Sequence, residues 1–165
     1  MKQADNGTVI MDKFVVICDD IRSLFNVGSI FRTADAVGVD RVYLCGITGR
    51  PGRSKSDEKL SKVALGAEKI VPWEYRKQSW RLLDELKTQG FEIISLELTP
   101  ESINYVKFKP KFPLALVIGN EVEGVRSPLL KRSDKCIQIP MHGQKESLNV
   151  SVAFGIAASW IGEFK

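Results

Sequence analysis

One histidine, three cysteines and no apolar run near the roughly 18 residues of a membrane-spanning helix set the first limits on this 165-residue chain. No membrane segment is expected, and Met1 to Asp12 lacks the apolar stretch of a secretory signal. A cytoplasmic protein is the resulting expectation. Cys18, Cys45 and Cys136 each sit in or beside an apolar run, without a close partner or a metal-ligand spacing. Buried, reduced thiols are expected in place of a disulfide, and no metal site is expected. Other absences bear on chemistry. No G-x-G-x-x-G follows the first apolar run and no G-x-x-x-x-G-K-[ST] occurs, which disfavours a dinucleotide oxidoreductase or a P-loop enzyme. With His142 the only histidine and no serine in a G-x-S-x-G elbow, nucleophilic hydrolysis is disfavoured as well. His142 itself, beside Gly143 in a polar loop, reads as a surface residue. There is no internal repeat and no low-complexity tract.

What is present is enough for one core. The length and the 44% apolar content predict a single domain spanning residues 1–165. A net charge of +4 agrees with a polyanionic partner but is weak support alone. Five short runs rich in β-branched residues read as strands: FVVIC (14–18), RVYLC (41–45), FEIISLEL (91–98), LALVIG (114–119) and CIQIP (136–140), with KIVPW (69–73) as a possible sixth. Most lack strict alternation, so they should be covered on both faces. Between them, Val27, Ile30, Phe31, Ala34 and Val37 keep helical spacing, with Asn26 placed as N-cap and Gly38 as terminator. Residues 76–90 repeat the pattern with Trp80, Leu83 and Leu86 before Gly90. This alternation predicts an α/β fold, a mainly parallel sheet flanked by helices.

Two segments interrupt the rhythm. Residues 48–59 combine Gly, Pro and Ser with Arg50, Arg53 and Lys55, and read equally as a solvated loop or as an arm contacting polyanions. Residues 99–113 interleave three prolines and three lysines with Tyr105, Phe108 and Phe112. Function should lie beyond the carboxyl ends of the strands. There Gly119 permits close backbone approach by a ligand, and Asn120 and Glu121 bring polar groups to the end of an apolar strand. The last segment, KESLNVSVAFGIAASW (145–160), starts polar and then runs uncharged. Ser147, Ser151, Gly155 and Ser159 make a small-residue stripe beside an apolar ridge of Leu148, Val152, Ile156 and Trp160. A helix with two packable faces should be buried on both, one against the sheet and one against a second subunit.

Three motifs together resemble the SpoU (TrmH-like) family of RNA ribose 2'-O-methyltransferases, in the SPOUT superfamily. They are NVGSIFRTADAVGV (26–39), LVIGNEVEGV (116–125) and IQIPMHGQKESLNVSVAFGIAA (137–158), with SKVALGAEK (61–69) resembling the family's connecting segment. The resemblance implies S-adenosylmethionine as methyl donor and a C-terminal trefoil knot, which nothing in the residue pattern alone predicts. Carried over by position, it implies a cofactor site made by Leu96, Gly119, Ile139, Met141, Ser147 and Leu148. Apolar side chains and free backbone groups suit the flat adenine ring, and Ser147 is expected either to touch the cofactor or simply to cap the last helix.

The resemblance also implies Asn26, Arg32, Glu121 and Asn149 as the catalytic set. In the family proposal the arginine is the base for the ribose 2'-hydroxyl, helped by a substrate phosphate. A guanidinium holds its proton above about pH 12, so Arg32 is better suited to clamping phosphate and stabilising alkoxide charge. Glu121 is expected to anchor Arg32 or to fold the second-motif loop, and Asn26 and Asn149 to orient Arg32 or the ribose. Family members are usually homodimers with shared active sites. RNA is the expected partner, contacted by Arg50, Arg53 and Lys55, with tRNA favoured over ribosomal RNA because the chain reads as little more than a catalytic domain. The alternative is a non-catalytic RNA-binding module of the same fold.

Overall fold

A computed structural model describes residues 10–165 and assembles the apolar runs into one seven-stranded sheet whose strand pairings are all parallel. Residues 1–9, most of the segment lacking a secretory signal, lie outside the described residues. The elements in chain order are β1 (Phe14–Asp19), α1 (Leu24–Ala36), β2 (Arg41–Cys45), α2 (Glu58–Ala64), α3 (Ala67–Ile70), β3 (Trp73–Arg76), α4 (Ser79–Thr88), β4 (Glu92–Leu96), β5 (Ile103–Asn104), β6 (Leu114–Ile118), α5 (Ser127–Leu130), β7 (Lys135–Gln138) and α6 (Val150–Gly162). Across the sheet the order is β3-β2-β1-β6-β4-β7-β5.

The unbroken apolar runs occupy the centre, as expected for strands covered on both faces. β1 and β6 are buried along their whole length. Alternate residues of β1 serve two cores: Phe14, Val16 and Cys18 pack with Ile30 and Phe31 of α1 and Phe154 of α6. Val15 and Ile17 face Leu82, Leu83 and Leu86 of α4 and Leu129 of α5. Each fully buried large side chain contributes about 1.5–3 kcal/mol, so the central strands hold the three layers together. α1 and α2 approach closely at Gly28, where a Cβ would come within 2.6 Å of the Leu60 carbonyl oxygen.

KIVPW does not form a strand. Residues 67–70 are helical, and β3 starts only at Trp73. The reason is spacing: Ala67 and Val71, four apart, are both 5% exposed, whereas Ile70 is 68% exposed. The 48–59 segment is likewise not loop throughout, since a 3-10 turn at Lys55–Asp57 leads into α2. The Asp57 carboxylate accepts from the Ser54 N–H at 2.7 Å and closes that turn. Cys18 and Cys45 are buried and unpaired, and Cys136 is only half-buried. Burial, assisted by the Asp19 charge, raises the Cys45 thiol far above its ordinary range and keeps it protonated. No described helix is long and apolar enough to cross a membrane.

Candidate active site

Because every pairing is parallel, β1, β6, β4 and β7 end on the same edge, and the three motifs meet there. The loop after β6 carries Glu121 over the start of α1. One carboxylate oxygen accepts from the Ser23 N–H at 3.0 Å and the Asn26 amide at 2.9 Å, and the other from the Arg22 N–H at 3.0 Å. Asn26 in turn accepts from the Asn149 amide at 3.0 Å. Asn149 Oδ1 then accepts from the Ser151 N–H at 2.9 Å and the Val152 N–H at 3.4 Å. The polarity of this chain is self-consistent. A carboxylate only accepts, so Asn26 must turn its NH2 toward Glu121, which leaves its oxygen for Asn149 and Asn149's oxygen for the start of α6. Residues 95 and 123 positions apart are thereby locked into one polar cluster.

This arrangement corrects both predicted caps. Ser23 caps α1, its hydroxyl accepting from the Asn26 N–H at 3.3 Å, and Asn26 lies inside the first turn. Asn149, not Ser147, caps α6. Both sites have competing polar residues near the helix start, and propensity alone does not choose between them. Burial of Glu121 opposes its ionisation, but the hydrogen bonds from Arg22, Asn26 and Ser23 outweigh it and hold the carboxyl below its ordinary range. A lowered folded value means that the stabilisation is present above the unfolded carboxyl's range and fades as pH falls through the folded one. Glu121→Gln should therefore melt below the parent near neutral pH, with the difference shrinking in acid. Thermal melts across that range check this, and a constant difference would count against it.

Arg32 is exposed on α1 and has no hydrogen-bond or ion-pair partner among the described residues. The expected Glu121–Arg32 pairing is absent, because the Glu121 oxygens are taken by the start of α1. Neither asparagine reaches Arg32 either; they hold Glu121 and α6.

Beside the cluster lies a pocket of about 590 Å³, and Leu96, Gly119, Ile139, Met141, Ser147 and Leu148 all line it. Glu121 also reaches its wall, so cofactor candidates and part of the catalytic set share one cavity. Gly119 is required for a reason other than ligand approach: a Cβ there would run into the backbone of Gly124 and Val125. The loop folds back on its own strand end, fastened by Gly124 N–H to Asn120 C=O at 2.9 Å. Asn120 contributes more, its side-chain oxygen accepting from Val122 N–H and its amide donating to the Asp20 carbonyl.

Two features escape sequence reasoning. The fully buried Asp19 is gripped by Arg126 at 2.9 and 2.8 Å and by the Ser79 hydroxyl at 2.6 Å, tying β1 to the far end of the same loop and to α4. The one signal was a carboxylate directly after FVVIC. Glu97, which follows Leu96 in the pocket wall, carried no motif at all.

None of Arg50, Arg53 and Lys55 lines the pocket. Arg53 and Lys55 are exposed, but Arg50 is half-buried, its guanidinium 3.9 Å from the centre of the Tyr75 ring. In residues 99–113 the aromatics serve packing. Tyr105 stands edge-on to Trp160, Phe108 is buried and Phe112 packs on Phe14, while the lysines stay exposed.

A sequence profile of the SpoU rRNA Methylase family matches residues 13–159, all three motifs included. The chain belongs to this family. It is 37% identical over 142 residues to the tRNA (guanosine(18)-2'-O)-methyltransferase of Aquifex aeolicus, covering 86% of this chain and 65% of that protein. It is also 37% identical over 145 residues to the 23S rRNA (guanosine-2'-O-)-methyltransferase RlmB of Neisseria meningitidis, covering 88% of this chain and 56% of the relative. The chain thus spans less than two thirds of either relative's length. The fold agrees with the family. The crystal structure of the Aquifex aeolicus TrmH/SpoU tRNA modifying enzyme superposes with a TM-score of 0.81 at 33% identity, covering 94% of this chain and 78% of that one. An AdoMet-bound rRNA methyltransferase from Sinorhizobium meliloti superposes with a TM-score of 0.79 at 25% identity, covering 93% and 57%.

Proposed function

We propose that the chain is an S-adenosylmethionine-dependent RNA ribose 2'-O-methyltransferase whose one domain occupies residues 1–165. The observation that carries this reading is the joining of Asn26, Glu121 and Asn149, one from each motif, in a single hydrogen-bonded chain beside the pocket that all six cofactor candidates line. The pocket fits the cofactor in kind. Its volume lies within the usual range for small-molecule sites, and Leu96, Ile139, Met141 and Leu148 supply an apolar wall for adenine next to strand-end backbone groups. Bound there, S-adenosylmethionine would supply an electrophilic methyl group on a sulfonium. Arg32, held by no partner among the described residues, is free to clamp a substrate phosphate and to stabilise charge growing on the 2'-oxygen. Glu121, Asn26 and Asn149 act one step back, keeping α1, the β6 loop and α6 in fixed relation.

A C-terminal trefoil knot belongs to this reading. It is supported by β4 lying between β6 and β7, so that the chain passes β4 before α6 packs back against β4 and β6. A homodimer belongs to it too. Phe25 near the start of α1, the helix that carries Arg32, and Val152 of α6 are 57% and 51% exposed, large apolar side chains that a second subunit would cover. Sedimentation at micromolar concentration should give a dimer, and a stable monomer would count against shared active sites.

RNA is the substrate in this reading, with Arg53 and Lys55 as phosphate contacts and Arg50 held against Tyr75 beside them. tRNA is favoured, in line with the activity named for the Aquifex aeolicus relative, and ribosomal RNA is the second reading, in line with that named for RlmB. A cytoplasmic location follows from such substrates. Calorimetry with S-adenosylmethionine tests the reading against a non-catalytic RNA-binding module: saturable binding is expected, and no binding by the folded protein would favour the module.

A further inference from the structure

Among the described residues, the pocket wall carries four glutamates, Glu97, Glu121, Glu123 and Glu146, and no lysine, arginine or histidine. They are not equivalent. Glu121 is occupied by the start of α1, and Glu123 and Glu146 are exposed on loops. Glu97 is half-buried at the end of β4, and its geometry is fixed by the protein: one carboxylate oxygen accepts from the Val125 N–H at 2.8 Å and the other from the Leu98 N–H at 2.8 Å. The carboxylate lies against Gly124, whose φ of +67° and missing Cβ leave room for it. No cationic side chain among the described residues pairs with Glu97. A preorganised, half-buried carboxylate without a counter-ion, in a cavity with no basic wall, favours a ligand that brings its own positive charge.

Building on the proposed function, we infer that Glu97 sets the charge selectivity of the pocket, favouring the sulfonium of S-adenosylmethionine over the neutral thioether of S-adenosylhomocysteine. The two ligands share adenosine, ammonium and carboxylate groups and differ in one methyl and one positive charge. Transfer of the methyl to the ribose oxygen leaves its bonding electron pair on sulfur, removes that charge and releases the 2'-hydroxyl proton to solvent. The wall thus holds the donor more firmly than the spent product and helps exchange one for the other.

Calorimetry with both ligands, on the parent and on Glu97→Gln, tests this. Glutamine keeps the shape and one acceptor oxygen while removing the charge. The affinity for S-adenosylmethionine should fall about tenfold and that for S-adenosylhomocysteine by less than about twofold. In the unmodified protein, added salt should weaken S-adenosylmethionine binding more than S-adenosylhomocysteine binding. Equal losses for the two ligands, as a purely structural role or a bond to the shared groups would give, or equal salt dependence in the unmodified protein, would overturn the inference. Failure of the unmodified protein to bind either ligand would overturn the proposed function, and this inference with it.

Discussion

Arg32→Ala is expected to abolish methyl transfer, lowering kcat by at least about 100-fold, while S-adenosylmethionine affinity stays within about twofold. The asymmetry follows from position. Arg32 is an exposed residue of α1 with no partner to lose among the described residues and is absent from the pocket wall, so its removal leaves the fold and the cavity as they are. What goes is the one catalytic candidate that bears a positive charge. A guanidinium can meet phosphate through two parallel N–H donors and still present charge to a developing alkoxide. Arg32→Lys should recover only part of the rate, because an ammonium keeps the charge and loses the fork. Single-turnover rates with saturating RNA, set beside calorimetry, separate the two effects. Full turnover by a folded Arg32→Ala protein would remove Arg32 from the mechanism.

Gly119→Ala is the second large effect, and it should act in the opposite way, on cofactor binding first. The added methyl would collide with the backbone of Gly124 and Val125, and backbone atoms cannot swing aside as a side-chain end can. The loop must lift, carrying Val125 off Glu97 and Glu121 off Arg22, Ser23 and Asn26. A stability loss of about 1–3 kcal/mol is expected from overpacking. S-adenosylmethionine affinity should fall at least about tenfold, since the pocket wall and the loop are the same residues. Circular dichroism confirms that the variant is folded, and parental affinity in that folded protein would show that the loop can move without harming the site.

The centre of the sheet was legible in the sequence because β1 and β6 are short, largely apolar and buried along their whole length, whereas the two-residue β5 at the sheet edge is only half-buried and had no such pattern to show. KIVPW shows the limit: a five-residue apolar run is compatible with a strand or one turn of helix, and only the neighbouring layer decides which residues it buries. At the site, the resemblance supplied Asn26, Glu121 and Asn149, but not their arrangement. Both predicted caps were displaced, because these helix starts were read without their distant partners: Glu121 for Asn26, 95 residues away, and Asn26 for Asn149, 123 residues away. Gly119 was recognised as a position of close approach, yet the approaching group is the chain itself. Asp19, Arg126 and Glu97 were missed since their partners are distant in sequence or lie on loops with no pattern. The dependence is general: what a residue needs locally is visible in its neighbours, and what it reaches across the fold is not.

In the proposed function, this polar cluster and the adjoining pocket serve methyl transfer to a ribose oxygen of RNA. The most direct measurement is incubation with methyl-labelled S-adenosylmethionine and total tRNA or ribosomal RNA, followed by digestion to nucleosides and identification of the labelled one. The expected result is label in a 2'-O-methylated nucleoside of tRNA, lost with Arg32→Ala. Label on a base, or none in either RNA from folded protein that binds S-adenosylmethionine, would contradict it.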